Sequence, residues 1–299
     1  MYLCRHMKSI SLYALLMVAG LCQFCNSKGA NQSANPKDST ASVTSAMATP
    51  EQAGRPQVPI LCYHNLKDVQ GKSSPDYTMT IALFKQQIKM LADSGFHTIL
   101  PDQLYDYLTK GAKLPSRPIM ITFDDSHAEH YSVAMPELEK YGFKGVFFIM
   151  TIPLGKPHYM TADQVKAIAD RGHVIGIHTW DHQNVKKLAA GNPVVLKIVN
   201  TKKFTTPDAQ LAEAWNLELT KPKAKLEQIT GKQIVYFAYP FGSWNYPAVD
   251  ELKKGGVKAA FQLGDKIGDQ APLYTIRRIL AEGNWSTATL ARMIRISFK

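Results

Sequence analysis

From residue 58 onward the chain alternates short apolar runs with helical patterns, and no run is joined to the next by hairpin chemistry. The runs fall at 59–63, 97–100, 119–123, 145–150, 174–177, 235–239, 258–263 and 274–279, each the length of a buried strand. Between the first two, Ile81, Phe84, Ile88 and Leu91 recur at helical spacing behind Thr80, a residue suited to an N-cap, and Gly95 stops the helix. A strand that must pass through a helix before its next strand returns parallel to where it began. The expectation is therefore an α/β fold with a parallel sheet of about seven to eight strands, open or closed into a barrel.

The remaining helices follow the same logic. Leu104 and Leu108 mark a short one ended by Gly111, and the helix after 119–123 ends near Gly142. Thr161 with Gln164 forms a capping-box pattern before a helix ending at Gly172, and a closing helix starts at Thr287. Residues 208–230 read as helical, with Pro222 expected to break or kink them.

The first 56 residues are of another kind. Arg5, His6 and Lys8 precede an apolar run over 10–21, too short to span a bilayer comfortably, so residues 1–25 read as a signal peptide. Residues 26–56 are rich in Ser, Thr, Ala, Asn, Pro and Lys without apolar periodicity and read as a disordered tether, leaving 57–299 as the folded domain. Export to the periplasm, cell envelope or medium is expected. Cys25 before the tether resembles a bacterial lipoprotein attachment site, although Phe24 is bulkier than the small residue such sites carry; lipid anchoring to a membrane and free secretion both stay open. The folded part holds only Cys62, which excludes a disulfide within it. A net charge of +11 comes without arginine-rich runs, zinc-finger spacing or a basic stripe interleaved with aromatics, so no nucleic-acid partner is expected.

Three strand ends carry chemistry. The run 119–123 ends in Asp124-Asp125, the run 174–177 in His178-Thr179-Trp180-Asp181-His182, and the run 235–239 in Pro240-Phe241-Gly242. In a parallel barrel these ends share one face, where catalytic groups collect. Carboxylate and imidazole together can hold a divalent cation of the zinc type while the second carboxylate stays free as a base, a pattern that reads as metal-assisted hydrolysis.

Thr122-Phe123-Asp124-Asp125, His178-Thr179-x-x-His182 and Tyr239-Pro240-Phe241-Gly242 together resemble the three motifs of the NodB-like polysaccharide deacetylases, carbohydrate esterase family 4. The opening Pro59-Ile60-Leu61-Cys62-Tyr63-His64-Asn65 is similar to the branch that deacetylates poly-N-acetylglucosamine exopolysaccharide. The resemblance implies a distorted (β/α) barrel, the NodB homology fold, acting on acetylated polysaccharide. It implies Asp125, His178 and His182 as ligands of a divalent metal, zinc first and cobalt, nickel or manganese as alternatives. It implies Asp124 as general base and the backbone N–H of Phe241 as an oxyanion donor.

Three departures from the family pattern matter. No histidine follows His182 where most members keep a general acid, and His64 at the end of the first strand is expected to replace it. Ala238 stands where an arginine usually orients the base, leaving Arg278 or Arg277 to supply the cation, with Arg278 the better fit. Ser126 stands in place of a glycine, which would cost about 1 kcal/mol if the backbone there has positive φ.

His127 and His130 read as surface or supporting residues, and His97 and His173, at strand starts, as structural. Asp181 either orients His182 or is solvated. Trp180, Trp244, Tyr239 and Pro240 are candidates for the substrate wall, because sugar rings stack on exposed aromatic faces. The lysine-rich stretch 185–207 reads as an insertion beside the site. Alternative functions are O-acetyl ester or peptidoglycan deacetylation within the same family, or a non-catalytic carbohydrate-binding relative.

Overall fold

The computed structural model describes residues 57–191, 206–264 and 267–298; the expected signal peptide, the tether and most of the lysine-rich stretch lie outside them. Eleven strands are present among the described residues: β1 Ile60–Tyr63, β2 Asn65–Lys67, β3 Thr78–Thr80, β4 His97–Thr98, β5 Pro118–Phe123, β6 Val146–Ile149, β7 Val174–Ile177, β8 Tyr236–Ala238, β9 Ala259–Gln262, β10 Ile276–Arg277 and β11 Ile279–Leu280. The helices are α1 Ile81–Asp93, α2 Pro101–Lys110, α3 Met135–Glu139, α4 Ala162–Asp170, α5 Val185–Ala189, α6 Pro207–Trp215, α7 Lys221–Thr230, α8 Tyr246–Lys254 and α9 Thr287–Ser297. Local chemistry sets their ends. Thr80 Oγ1 accepts from Leu83 N–H at 3.2 Å, and Thr161 and Gln164 close their capping box at 3.2 and 2.9 Å.

The main sheet runs β10-β9-β8-β7-β6-β5-β1-β11, parallel throughout, with β4 pairing the start of β5. β10 and β11 are consecutive halves of one segment. Ile276 and Arg277 pair with Phe261 and Gln262 of β9, while Ile279 and Leu280 pair with Leu61 and Cys62 of β1. The segment switches neighbours at Arg278, and so draws the two edges of the sheet into a nearly closed, distorted (β/α) barrel. The run read from sequence as one strand is two: the Arg278 N–H still bonds the Gln262 carbonyl of β9 at 3.1 Å, whereas the Ala281 N–H already bonds the Cys62 carbonyl of β1 at 2.9 Å, so the chain changes partner between them. β2 and β3 form a separate parallel pair that sequence patterning does not signal.

Alternation along the strands divides the core. Leu61, Tyr63, Ile121, Phe123, Phe147, Ile177 and Phe237 pack against helical residues such as Phe84, Ile88, Val165 and Leu226. Residues of the opposite parity, Ile60, Met120, Val146, Phe148, Tyr236, Ala238, Ala259, Phe261 and Ile276, form a second cluster with Leu104 of α2. The same parity carried to the strand ends gives Cys62, His64, Thr122, Asp124, His178 and Arg278. Gly176 belongs to this set because a Cβ there would sit 2.5 Å from the Phe148 ring.

Residues 208–230 are not one helix. A π-helical turn, Asn216–Thr220, separates α6 from α7, and Pro222 occupies the first turn of α7. Proline lacks an N–H and its ring crowds the carbonyl four residues back, here that of Glu218; widening the turn before it accommodates both without a break. A second π turn, His130–Ala134, stands in the same relation to Pro136.

Candidate active site

The strand-end residues converge at one mouth of the barrel. Asp125 Oδ1 lies 3.4 Å from His178 Nε2 and 3.5 Å from His182 Nε2, and the two imidazole rings are 4.9 Å apart. His178 Nδ1 lies 2.8 Å from the Ala238 carbonyl, so the N–H sits on Nδ1 and the Nε2 lone pair faces Asp125. Both Nε2 of His178 and Oδ1 of Asp125 are buried without a hydrogen-bond partner. Two buried ligand-type atoms facing each other, neither with a hydrogen-bond partner, are the arrangement a cation completes, and one carboxylate with two imidazoles is a donor set suited to zinc or a similar ion. These residues therefore fit the metal that the sequence motifs imply.

Asp124 is treated differently by the fold. Arg278 donates to its Oδ1 at 2.8 Å and its Oδ2 at 2.7 Å, and also to Thr122 Oγ1, which in turn donates to the Leu61 carbonyl. Burial opposes ionisation of Asp124, but Arg278 and His178 outweigh it and hold the carboxyl well below the usual carboxylate range. Of the two candidate arginines, Arg278 makes this contact. Arg277, one residue earlier on the opposite parity, points to the Gly264 and Ser297 carbonyls and the Phe298 ring.

His64 brings Nε2 to 3.8 Å from Asp124 Oδ2 and Nδ1 to 3.8 Å from Cys62 Sγ. Burial lowers its pKa, with the Asp124 and Asp125 carboxylates opposing. Its backbone carbonyl accepts from His130 Nε2 at 2.8 Å. Cys62 donates to Asp124 at 3.4 Å, and burial pushes its thiol up, so it remains protonated. Cys62, His64 and Asp124 form a second grouping of metal-ligand types, but the guanidinium already on Asp124 would repel an added cation.

The loops holding these groups run through backbone that side chains disfavour. Asp125, Ser126, Thr179, His182 and Phe241 all have φ between +53° and +76°. Ser126 illustrates the compensation: its hydroxyl accepts from Met150 N–H at 2.8 Å and donates to Met150 O at 3.2 Å. The glycine it replaces could make neither bond, which offsets the strain expected from sequence.

Phe241 is 65% exposed, its ring 4.5 Å from that of His182. Trp180 and Trp244 are half-buried, the latter edge-on to Tyr246. Tyr239 and Pro240 differ from expectation as substrate-wall side chains: both are buried, Tyr239 fully so and edge-on to Phe237. The alternation that sends 238 into the barrel sends 239 into the helix-facing core. His127 stacks on Tyr159 with Nε2 4.0 Å from Asp125 Oδ2, whereas His97 and His173 lie at strand starts.

Of two supporting residues, His130 was expected from sequence as surface or supporting and is fully buried, whereas Glu218 escapes sequence reasoning. His130 starts one π turn and ties down the His64 carbonyl. Glu218 belongs to the other, and its Oε2 accepts from the Trp180 N–H at 3.1 Å and the Asp181 N–H at 3.3 Å. Asp181 thus enters through its backbone rather than its carboxylate. Burial raises Glu218 to about 7 despite those bonds. The only advance signal for Glu218 was Pro222, four residues on, placed to distort its helix.

A parallel barrel carries at its mouth one carboxylate and two imidazoles that could hold a metal ion, beside an arginine-bound aspartate, an arrangement suited to hydrolysis. Residues 111–260 match the polysaccharide deacetylase family, half of the chain, and the chain belongs to that family. The matched residues contain Asp124, Asp125, His178 and His182 but neither His64 nor Arg278. Among relatives, the poly-beta-1,6-N-acetyl-D-glucosamine N-deacetylase of Staphylococcus epidermidis is 29% identical over 72% of this chain and 71% of its own length. That of Escherichia coli is 24% identical over 78% of this chain, which spans only 38% of the E. coli protein. Among solved structures, the Streptococcus pyogenes deacetylase PplD, in complex with acetate, aligns with a TM-score of 0.66 at 22% identity, covering 80% of this chain and 99% of its own, a likeness of fold.

Proposed function

We propose that the protein is a metal-dependent N-deacetylase of an N-acetylated amino-sugar polymer, releasing acetate and leaving the free amine. The observation that carries this reading is the facing pair of unpartnered buried atoms, Asp125 Oδ1 and His178 Nε2, with His182 beside them and Asp124 held apart by Arg278. The names of the relatives support the choice of an N-acetylglucosamine polymer.

Asp125, His178 and His182 would hold the cation. When bound it supplies Lewis acidity at the acetyl carbonyl and a water of lowered pKa. Asp124, ionised and fixed in orientation by Arg278, takes the proton of the attacking water. The backbone N–H of Phe241 donates to the oxygen that gains charge as water adds to the carbonyl carbon. As the C–N bond breaks, His64 gives a proton to the departing amine. Because burial keeps His64 neutral at rest, that proton is one it receives during turnover from Asp124, 3.8 Å away. The exposed Phe241 and the half-buried Trp180 and Trp244 flank the site as surfaces for sugar rings.

The test is acetate release from N-acetylated glucosamine oligomers, with an O-acetylated xylan oligomer for comparison. Activity is expected on the amide, lost on chelation, restored by a divalent metal, and absent in Asp124→Asn. Acetate release indifferent to both chelator and that substitution would sink the mechanism; release only from the ester would move the reading to the esterase alternative.

A further inference from the structure

The two candidate imidazole ligands are secured very differently. His178 is buried, and its ring is fixed by the Ala238 carbonyl. His182 lies half-open to solvent, and no hydrogen bond among the described residues fixes its ring, which meets only the Asp125 carboxylate and the rings of His178 and Phe241. Its position must therefore come from its backbone.

That backbone is strained. Thr179 has φ +65° and His182 φ +53°, and for a β-branched residue such as Thr179 the left-handed region is a genuine outlier. Such conformations persist only where surrounding contacts over-determine them. Here the contacts converge on one carboxylate, 38 residues further along the chain. Glu218 Oε2 accepts the backbone N–H of Trp180 at 3.1 Å and of Asp181 at 3.3 Å. Thr179 Oγ1 accepts the N–H of Gln183, closing the turn from the far side of His182.

Glu218 is an expensive way to hold a loop. It is 3% exposed, and no lysine or arginine among the described residues pairs with it, so its charge is opposed by burial and compensated mainly by those N–H groups. A buried acceptor of this kind in a widened helical turn has a specific recipient, and the recipient here is the loop between the two histidines.

We propose that Glu218 is the positioning residue for the metal ligand His182, acting through the backbone of residues 179–182. This rests on the reading that Asp125, His178 and His182 hold a divalent cation. Glu218 touches neither the cation nor the substrate. It sets where the exposed imidazole stands, and the protein's affinity for the metal depends on it.

The test measures Co²⁺ and Zn²⁺ affinity by competition with a chromogenic chelator, and the visible absorption of the Co²⁺ protein, in the full chain. Glu218→Met, which removes the acceptor at similar volume, is expected to weaken metal binding by about 10–100-fold. Its Co²⁺ spectrum should shift toward that of His182→Ala. Glu218→Gln keeps an acceptor oxygen and should bind close to wild type. In a His182→Ala background Glu218→Met should add little, since the ligand it positions is already gone. If Glu218→Met fails to fold, Glu218→Asp, which withdraws the carboxylate by one methylene, carries the test with an intermediate loss expected. A drop in melting temperature with unchanged metal affinity and spectrum would overturn the proposal, as would an undiminished effect in the His182→Ala background. Wild-type protein that binds no cation sinks the metal reading and this inference with it; wild type that binds while Glu218→Met binds as tightly sinks this inference alone.

Discussion

Arg278 sets its guanidinium on Asp124 through two parallel hydrogen bonds of 2.8 and 2.7 Å, joining residues 154 apart in sequence. Both are buried, and Arg278 sits at the point where the closing segment passes from β9 to β1. One ion pair thus orients the candidate base and stands at the barrel's seam. Such a pair adds little over an apolar equivalent, but breaking it leaves a bare buried charge.

Arg278→Met is therefore expected to cost about 3–5 kcal/mol, read from urea unfolding. Adding Asp124→Asn should return part of that loss, because the stranded carboxylate is then neutral. Strictly additive losses in the double variant would show that the two side chains do not act as a pair.

His64→Gln keeps the size of the side chain but cannot carry a proton between Asp124 and the leaving amine. A fall in kcat of about 10²–10⁴-fold is expected, with metal content unchanged by elemental analysis. Loss of metal in parallel with activity would point to a ligand role instead.

Ser126→Gly releases positive-φ strain of about 1 kcal/mol but removes both hydrogen bonds to Met150, each worth about 1 kcal/mol. Denaturant unfolding should show Ser126→Gly less stable by about 1 kcal/mol and Ser126→Ala, which keeps the strain, less stable still. A stabilised glycine variant would mean that the hydroxyl contributes nothing.

His173 predicts a pH effect at the opposite end of the barrel. Burial and the Lys144 ammonium push it down to about 4 although Glu139 opposes them, and its Nδ1 accepts the Gly145 N–H at 2.9 Å. A folded pKa below the unfolded value near 6.5 gives stability that is present above pH 6.5 and lost as pH falls toward 4. His173→Asn keeps an acceptor without titrating. Between pH 7 and pH 5 the wild type should lose about 2 kcal/mol more than this variant in urea unfolding. Parallel losses in the two proteins would remove His173 as the cause.

Much of the architecture was legible in the chain because it follows from local rules. Short apolar runs, helix caps at Thr80 and Thr161 and stops at Gly95 and Gly111 specify strands and helices and, with no hairpin turns, a parallel sheet. Because the ends of parallel strands share one face, Asp124 and His178 are brought to one mouth before any contact is known. Less legible was whatever depends on a partner remote in sequence. Tyr239 lies one residue from an inward position and is core. The run 274–279 looked like one strand because apolar pattern does not record a change of neighbour. The stretch 208–230 promised a kink at Pro222 and contains a widened turn instead, since the strain is relieved one turn earlier.

The sequence by itself determined most of the element types, the parallel sheet and the three strand-end motifs, since backbone preference and apolar patterning act over a few residues. Only the tertiary structure decided between Arg277 and Arg278, brought His64 against Asp124, gave Ser126 its partners and aimed Glu218 at the loop before His182. Each of those depends on where the closing barrel sets one strand end against another, and on which buried donor then lacks an acceptor. That is a property of packing between segments distant in the chain, which spacing along it does not encode.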